Sequence, residues 1–377
     1  MDHRPQRSSI VGLPCLVALL SCGSLLQAQP TNIPAAYSTN QGVAPRLQWN
    51  ANNGYCGEVS FISAGLRFGQ YCSQYTARRM ASPSYSQTNE ESQLLLGATN
   101  TDSAPQGRSP SSIAAFAARR MRLEAVEFPS ATQASSHEFL NWIKDNFLRA
   151  RIVIIGVFNN GIALEEWIGR TDGDSEYDHI VPVLQLGSDA PFSAYPDRYR
   201  PRDVITISDN GLYGPFGQPA EYQFLYSYRF PRFLGTRSQA NNPRGNPMYL
   251  LKNRPANYGI AIAGPLDLDN VTAPVTLATS TNAEPEMDDG SDIPPAPAPL
   301  TLTATVQIPD ATKAWNVYCY TNFADVPVAN FNALSNSASR TWQYPASPSP
   351  GPSSKTITIS TNTAATVVFR AVPADVP

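Results

Sequence analysis

Asn53-Gly54-Tyr55-Cys56-Gly57-Glu58 joins a glycine-bearing loop to a segment with helical spacing, in which Val59, Ile62 and Leu66 recur beside Phe61 and Phe68. Apolar residues three and four apart, with no proline before Met80, predict a helix from Cys56 to about Met80. A thiol at that junction faces the unpaired N–H groups of the first turn and the positive end of the helix dipole. Both favour the thiolate, the nucleophilic form. Gly57 lets a substrate backbone approach closely. The competing reading of Cys56 is a small buried core residue.

Upstream of that stretch, Arg4 and Arg7 precede an apolar run from Ile10 to Leu26, and Leu26-Gln27-Ala28 offers a cleavage site. Residues 1–28 therefore read as a signal peptide and the protein as secreted. Leu19-Leu20-Ser21-Cys22 is a rival lipoprotein signal anchored at Cys22. Pro14 and Gly23 interrupt the apolar run, so no stable membrane span is expected. Without the signal, Cys56, Cys72 and Cys319 remain, an odd number that leaves at least one thiol free or paired outside the chain. Only His137 and His179 can then supply an imidazole.

The 377 residues carry 27 basic and 30 acidic side chains, a net charge of -3. That balance gives no basic face for nucleic acid. Helices are predicted from Ser111-Ser112 through Arg122 and from Ser135-Ser136 along Phe139, Ile143 and Phe147. Continuous or β-branched apolar runs predict strands at Ile152 to Phe158, His179 to Leu186, Val204 to Ser208 and Tyr222 to Phe230. Tyr249 to Lys252 and Tyr258 to Ile262 read as a closing pair. Helices come first and strands later, an α+β arrangement over residues 29–265. Residues 266–299, acidic and proline-rich, read as a semi-rigid linker. From Leu300 the period-two alternation predicts a small all-β sandwich of the immunoglobulin or fibronectin kind over 300–377. Its Trp315, Tyr318, Tyr320 and Trp342 are either sandwich core or a contact for a surface partner or glycan.

His179 follows a polar segment and stands at the mouth of an apolar strand, in Tyr177-Asp178-His179-Ile180-Val181. An imidazole held at a strand end is well placed to act as a base. The strand that ends in Ser208-Asp209-Asn210-Gly211 brings a carboxylate and an amide, either able to orient that ring; Asp209 is the first choice and Asn210 the reserve. An ordinary Asp-Asn-Gly turn is the bland alternative. His137, in a helical first turn beside Glu138, reads as a surface residue.

In this order the residues resemble the papain-like cysteine peptidases over roughly residues 45–265. Asp178-His179-Ile180-Val181 looks like the family's histidine strand and Val204 to Gly211 like its asparagine strand. The start is closer to the bacteriocin-processing-like branch, in which a glutamine precedes the cysteine by about eight residues and an acid follows it, here Gln48 and Glu58. The Cys-Gly-Ser-Cys-Trp start of papain itself is absent, and the papain spacing of the oxyanion donor falls on Asn50. The resemblance implies Cys56 as nucleophile, His179 as base, Asp209 as third member and Gln48 or Asn50 as oxyanion donor. It implies an acyl-thioester intermediate and a peptide or protein substrate. An inactive papain fold that binds a surface partner is the alternative. No metal or other cofactor is expected, since two histidines and scattered acids offer no ligand cluster. Cys72 reads as a buried helix residue, with a bridge to Cys319 as the alternative.

Overall fold

Strand β1 (Tyr37–Asn40) leads into helix α1 (Cys56–Arg67), which begins at the thiol as its spacing predicts. The helix does not run on to Met80. Gly69 takes φ +74, and a Cβ there would sit 2.9 Å from Cβ of Val275, so the chain turns where only glycine fits. It forms β2 (Gln70–Tyr71) and restarts as α2 (Gln74–Ala81), whose first turn is capped by Ser73. Helix α3 (Ile113–Arg120) is capped by Ser112 and leads to β3 (Leu123–Glu127). Helix α4 (Ser136–Leu148) starts on a capping box between Ser135 and Glu138.

The computed structural model describes residues 35–129, 135–159, 177–195, 198–211, 225–235, 249–252 and 257–376. The expected signal peptide, with Cys22, lies outside them. Strands β4 (Ile152–Asn159), β5 (His179–Ser188), β6 (Val204–Ser208) and β7 (Leu225–Arg229) follow. The short α5 (Phe230–Phe233), β8 (Leu234–Gly235), β9 (Tyr249–Lys252) and β10 (Gly259–Pro265) complete this half. The main sheet runs β3-β10-β4-β5-β6-β7, with β1 added to β5 and β9 to β4. The two strands expected to close the sheet as a pair do not pair with each other. Strand β10 inserts between β3 and β4, while β9 joins the end of β4.

Side-chain alternation divides the sheet cleanly. Ile152, Ile154, Ile180, Ile260 and Ile262 face the core shared with α1, α2 and α3. Val153, Ile155, Val181, Ile205 and Ala261 face the core of α4 and α5. The result is a mixed α/β fold with five helices among the described residues and several antiparallel sheets, not a barrel.

The segment expected to be a linker is packed structure. Strand β11 (Val275–Thr279) pairs with β12 (Pro299–Ile308), and Glu284 and Met287 are buried. Its composition misleads because distant backbone N–H groups and Arg46 receive the acidic side chains. Strands β13 (Trp315–Tyr320), β14 (Arg340–Tyr344), β15 (Ser353–Asn362) and β16 (Val367–Pro373) complete two sheets, β11-β12-β15 and β14-β13-β16-β2. Each sheet borrows a strand from outside 300–377. Arg370 reinforces the junction, donating to the carbonyl of Phe68 and to Oε1 of Gln70.

Strand β16 also separates Cys72 from Cys319. Tyr71 pairs with Val367 on one edge and Cys319 with Phe369 on the other. Two ladder spacings alone hold their strands about 9.6 Å apart, so the cysteines lie beyond disulfide reach, and both are free and buried. Trp315, Tyr318 and Tyr320 are buried core, and Trp342 is half-buried against Phe369 at 5.7 Å, so these aromatics offer little to a glycan. No helix among the described residues is long and apolar enough to cross a membrane.

One hydrophobic core runs from α1 through both C-terminal sheets. The chain should therefore melt in a single calorimetric transition with equal van't Hoff and calorimetric enthalpies. Two separable transitions would show instead that the C-terminal sheets fold alone.

Candidate functional site

Cys56 is the first residue of α1, and three consecutive left-handed residues, Asn52 (φ 48), Asn53 (φ 65) and Gly54 (φ 84), set the approach to it. Asparagine and glycine tolerate this region at least cost, which accounts for the local sequence. Cys56 is half-buried, unlike Cys72 and Cys319. Burial, then the nearby Glu58 carboxylate, pushes its thiol up to about 12, against backbone hydrogen bonds from Ile180 and Gly57. The sulfur thus lies against the main chain of the residue that follows His179.

Asn210 ties these elements together. Its side-chain amide donates to the carbonyl of Ile180 at 3.0 Å, to Oγ of Ser60 at 3.1 Å and to the carbonyl of Cys56 at 3.4 Å. Its own carbonyl accepts the backbone N–H of Gln48 at 2.9 Å. The turn that ends β6 therefore clamps the start of α1, the histidine strand and the glutamine segment at one point. Asn210 takes φ 55 to do so.

His179 is buried, and its Nε2 lies 2.9 Å from the main-chain carbonyl of Asp209. A carbonyl only accepts, so Nε2 carries the proton in the neutral ring and Nδ1 the lone pair. The ring also stacks on Tyr249 with centroids 5.7 Å apart. Burial pulls the imidazole down to about 4, against the Asp209 carbonyl. At neutral pH, then, neutral thiol and neutral imidazole are the resting forms. The expected partner is the Asp209 carboxylate; the 2.9 Å contact with the ring is made by the Asp209 main-chain carbonyl. Its Oδ1 accepts the N–H of Gly211 at 2.9 Å, closing the Asp-Asn-Gly turn.

Gln48 and Asn50 are the two candidates for oxyanion donor. Asn50 is exposed. Gln48 is buried, and its Nε2 lies 3.5 Å from where a Cβ of Gly54 would stand, two residues before the thiol. Its Oε1 has no protein partner among the described residues. Gln48 is the better placed of the two. His137 is exposed and stacks on Tyr199 at 3.9 Å, apart from this cluster. Among the described residues no group of three or more His, Cys, Asp or Glu is placed to hold a metal.

Sequence reading missed the support beneath the cysteine. Arg78 on α2 is wholly buried, with Nε 2.7 Å from the carboxylate of Glu58. Its guanidinium donates to the carbonyls of Asn52 (2.9 Å), Gln87 (3.2 Å) and Gly54, and lies 3.6 Å over the ring of Tyr55. The available signal was an arginine four residues after Gln74 on the same helix face as Ala77 and Ala81, the face that packs inward. In comparisons against family models, curated proteins and solved structures, no match was found for this chain.

Two measurements bear on this geometry. The rate of Cys56 alkylation by iodoacetamide should rise about tenfold per pH unit from pH 7 to pH 10, because the thiolate is the reactive form. A plateau below pH 9 would contradict the protonated resting thiol. Replacing Arg78 by Met strands a buried Glu58 and should cost roughly 3–5 kcal/mol in urea unfolding. A loss under about 1 kcal/mol would show that the pair is dispensable.

Proposed function

We propose that this chain is an exported papain-like thiol hydrolase that cleaves amide bonds in peptides or proteins. The observation that carries the reading is the Asn210 clamp, which joins Cys56 to the residue next to His179 and anchors Gln48 beside them. Nothing in the fold requires the half-buried cysteine, the strand bearing the buried imidazole and the buried glutamine to be tied to one turn. The chemistry requires all three.

In this scheme Cys56 attacks the scissile carbonyl and a carbon–sulfur bond forms. Nδ1 of His179 takes the thiol proton, and the Asp209 carbonyl holds the imidazolium through Nε2–H. Gln48 and a backbone N–H at the start of α1 receive the oxyanion. The proton passes to the leaving amine as the carbon–nitrogen bond breaks. Water then attacks the thioester, giving one proton through His179 back to sulfur. Acyl transfer to another amine would use the same groups.

A second reading is favoured by one specific observation. A thiol at about 12 beside an imidazole at about 4 makes proton transfer uphill in the free protein. That suits a papain-like fold that binds an extracellular or surface partner without turnover. The two readings separate on a fluorescent casein substrate. For the hydrolase, Cys56→Ala and His179→Ala abolish cleavage while near-UV circular dichroism is retained, and Gln48→Ala lowers kcat by roughly 10²–10³. Undiminished cleavage by Cys56→Ala sinks the hydrolase reading. No cleavage by the wild type across a panel of peptides leaves the binding reading standing.

A further inference from the structure

The acidic segment 282–292 does not merely fill space between the two halves; it grips the loop that carries Gln48 and Cys56. Leu47 N–H donates to the carbonyl of Asn282 at 3.0 Å. Gln74 N–H donates to both oxygens of Glu284, at 3.2 and 3.1 Å. Asn52, the first of the three left-handed residues, is held at every polar group. Its N–H donates to Oδ1 of Asp289 (2.7 Å), its Oδ1 accepts from Gly290 N–H (2.8 Å) and its Nδ2 donates to the carbonyl of Ser291 (2.9 Å). Its carbonyl goes to Arg78. Asp292 closes the grip by accepting Gln87 N–H at 2.5 Å.

Met287 is the apolar centre of this contact. It is buried with Trp49, Ala51 and Tyr55, and the Tyr55 hydroxyl lies 3.1 Å from its sulfur. Trp49 follows Gln48 in the chain and Tyr55 precedes Cys56, and their rings meet edge to face at 4.9 Å. One chain neighbour of Gln48 and one of Cys56 therefore rest on a single methionine from about 230 residues downstream.

We propose that this segment is a built-in clasp that sets the spacing between Gln48 and Cys56, with Asn52, Met287 and Asp289 as positioning residues. The proposal rests on Cys56 being the reactive residue of the site. A turn of three left-handed residues has no helix or ladder bonds to hold it, so its shape is set by whatever satisfies its polar groups. Gly54 N–H closes on the Ala51 carbonyl at 2.8 Å, and the clasp and Arg78 take the polar groups of Asn52 and the Gly54 carbonyl. Releasing it lets the start of α1 open toward solvent, which exposes the thiol while separating it from Gln48. Cys56 alkylation then rises as cleavage falls while the buried Cys72 and Cys319 stay protected, which general loss of stability does not produce.

The test uses the full chain, with iodoacetamide at pH 8 and peptide mapping to read Cys56 against the buried Cys72 and Cys319. Asn52→Gly keeps a residue suited to the left-handed turn but removes the side-chain grip. Asp289→Ala and Met287→Ala remove the other two contacts, and Asp289→Asn and Met287→Leu restore an acceptor and an apolar filler. We expect Cys56 alkylation to rise at least tenfold in the first three variants, with casein cleavage falling by a similar factor in kcat. The two conservative variants should stay within about twofold of wild type. Val317→Ala, in a distant C-terminal strand, controls for general destabilisation. Alkylation within twofold of wild type in folded Asn52→Gly overturns the clasp, as does an equal rise in Val317→Ala. Should the wild type cleave nothing, the hydrolase reading fails while the alkylation arm still decides the clasp.

Discussion

Arg78 has no water to fall back on. Its side chain is fully enclosed, so each guanidinium N–H must find a protein acceptor, and the acceptors it finds are the Asn52 and Gly54 carbonyls ahead of Cys56, the Gln87 carbonyl and the Glu58 carboxylate. This is a constraint before it is a stabilisation. A planar fork with donors in fixed directions accepts few arrangements of its surroundings, and lysine would not reproduce it. The geometry of α2 therefore dictates where α1 begins. Leu94 N–H adds to the same Glu58 oxygen at 3.1 Å, so a third stretch of chain is fixed by the same charge pair.

The consequence is that the loop ahead of Cys56 and the start of α1 are held by four distant parts of the chain. Helix α2 supplies Arg78, the turn after β6 supplies Asn210, β5 supplies Ile180, and the acidic segment supplies Met287 and Asp289. Each contact is polar and buried, or packs directly on one that is. Burial makes such contacts costly to leave unmade, and this rigidifies the arrangement more than their summed free energy suggests. The same enclosure raises the thiol and lowers the imidazole, so rigidity and reactivity pull against each other.

The C-terminal sheets are part of this arrangement. Strand β2, just after α1, completes one of them, and Val275 on β11 packs where Gly69 ends the helix. A boundary drawn from composition at residue 265 crosses a continuous core. The acidic stretch is hydrophilic when its own residues are counted, yet Glu284 is buried because Gln74 N–H and Arg46 meet it. Local composition counts charges and cannot see their partners.

Much of the local structure was legible in the chain itself. Ser112 and Ser135 cap helices where their spacing says they should, the apolar runs at 152–158 and 179–186 are strands, and Cys56 opens a helix. These depend on nearest-neighbour sterics and hydrogen bonds within a few residues, which sequence encodes directly. The end of α1 at Gly69, the contact of the His179 ring with the Asp209 carbonyl, the burial of Gln48 beside an exposed Asn50 and the packing of residues 282–292 were decided only in three dimensions. Each turns on a partner dozens to hundreds of residues away: Val275 against Gly69, the histidine ring against a backbone oxygen, Asp289 against Asn52. Spacing along the chain carries no information about such meetings, because steric fit and buried hydrogen bonds act between groups that only the folded state makes neighbours.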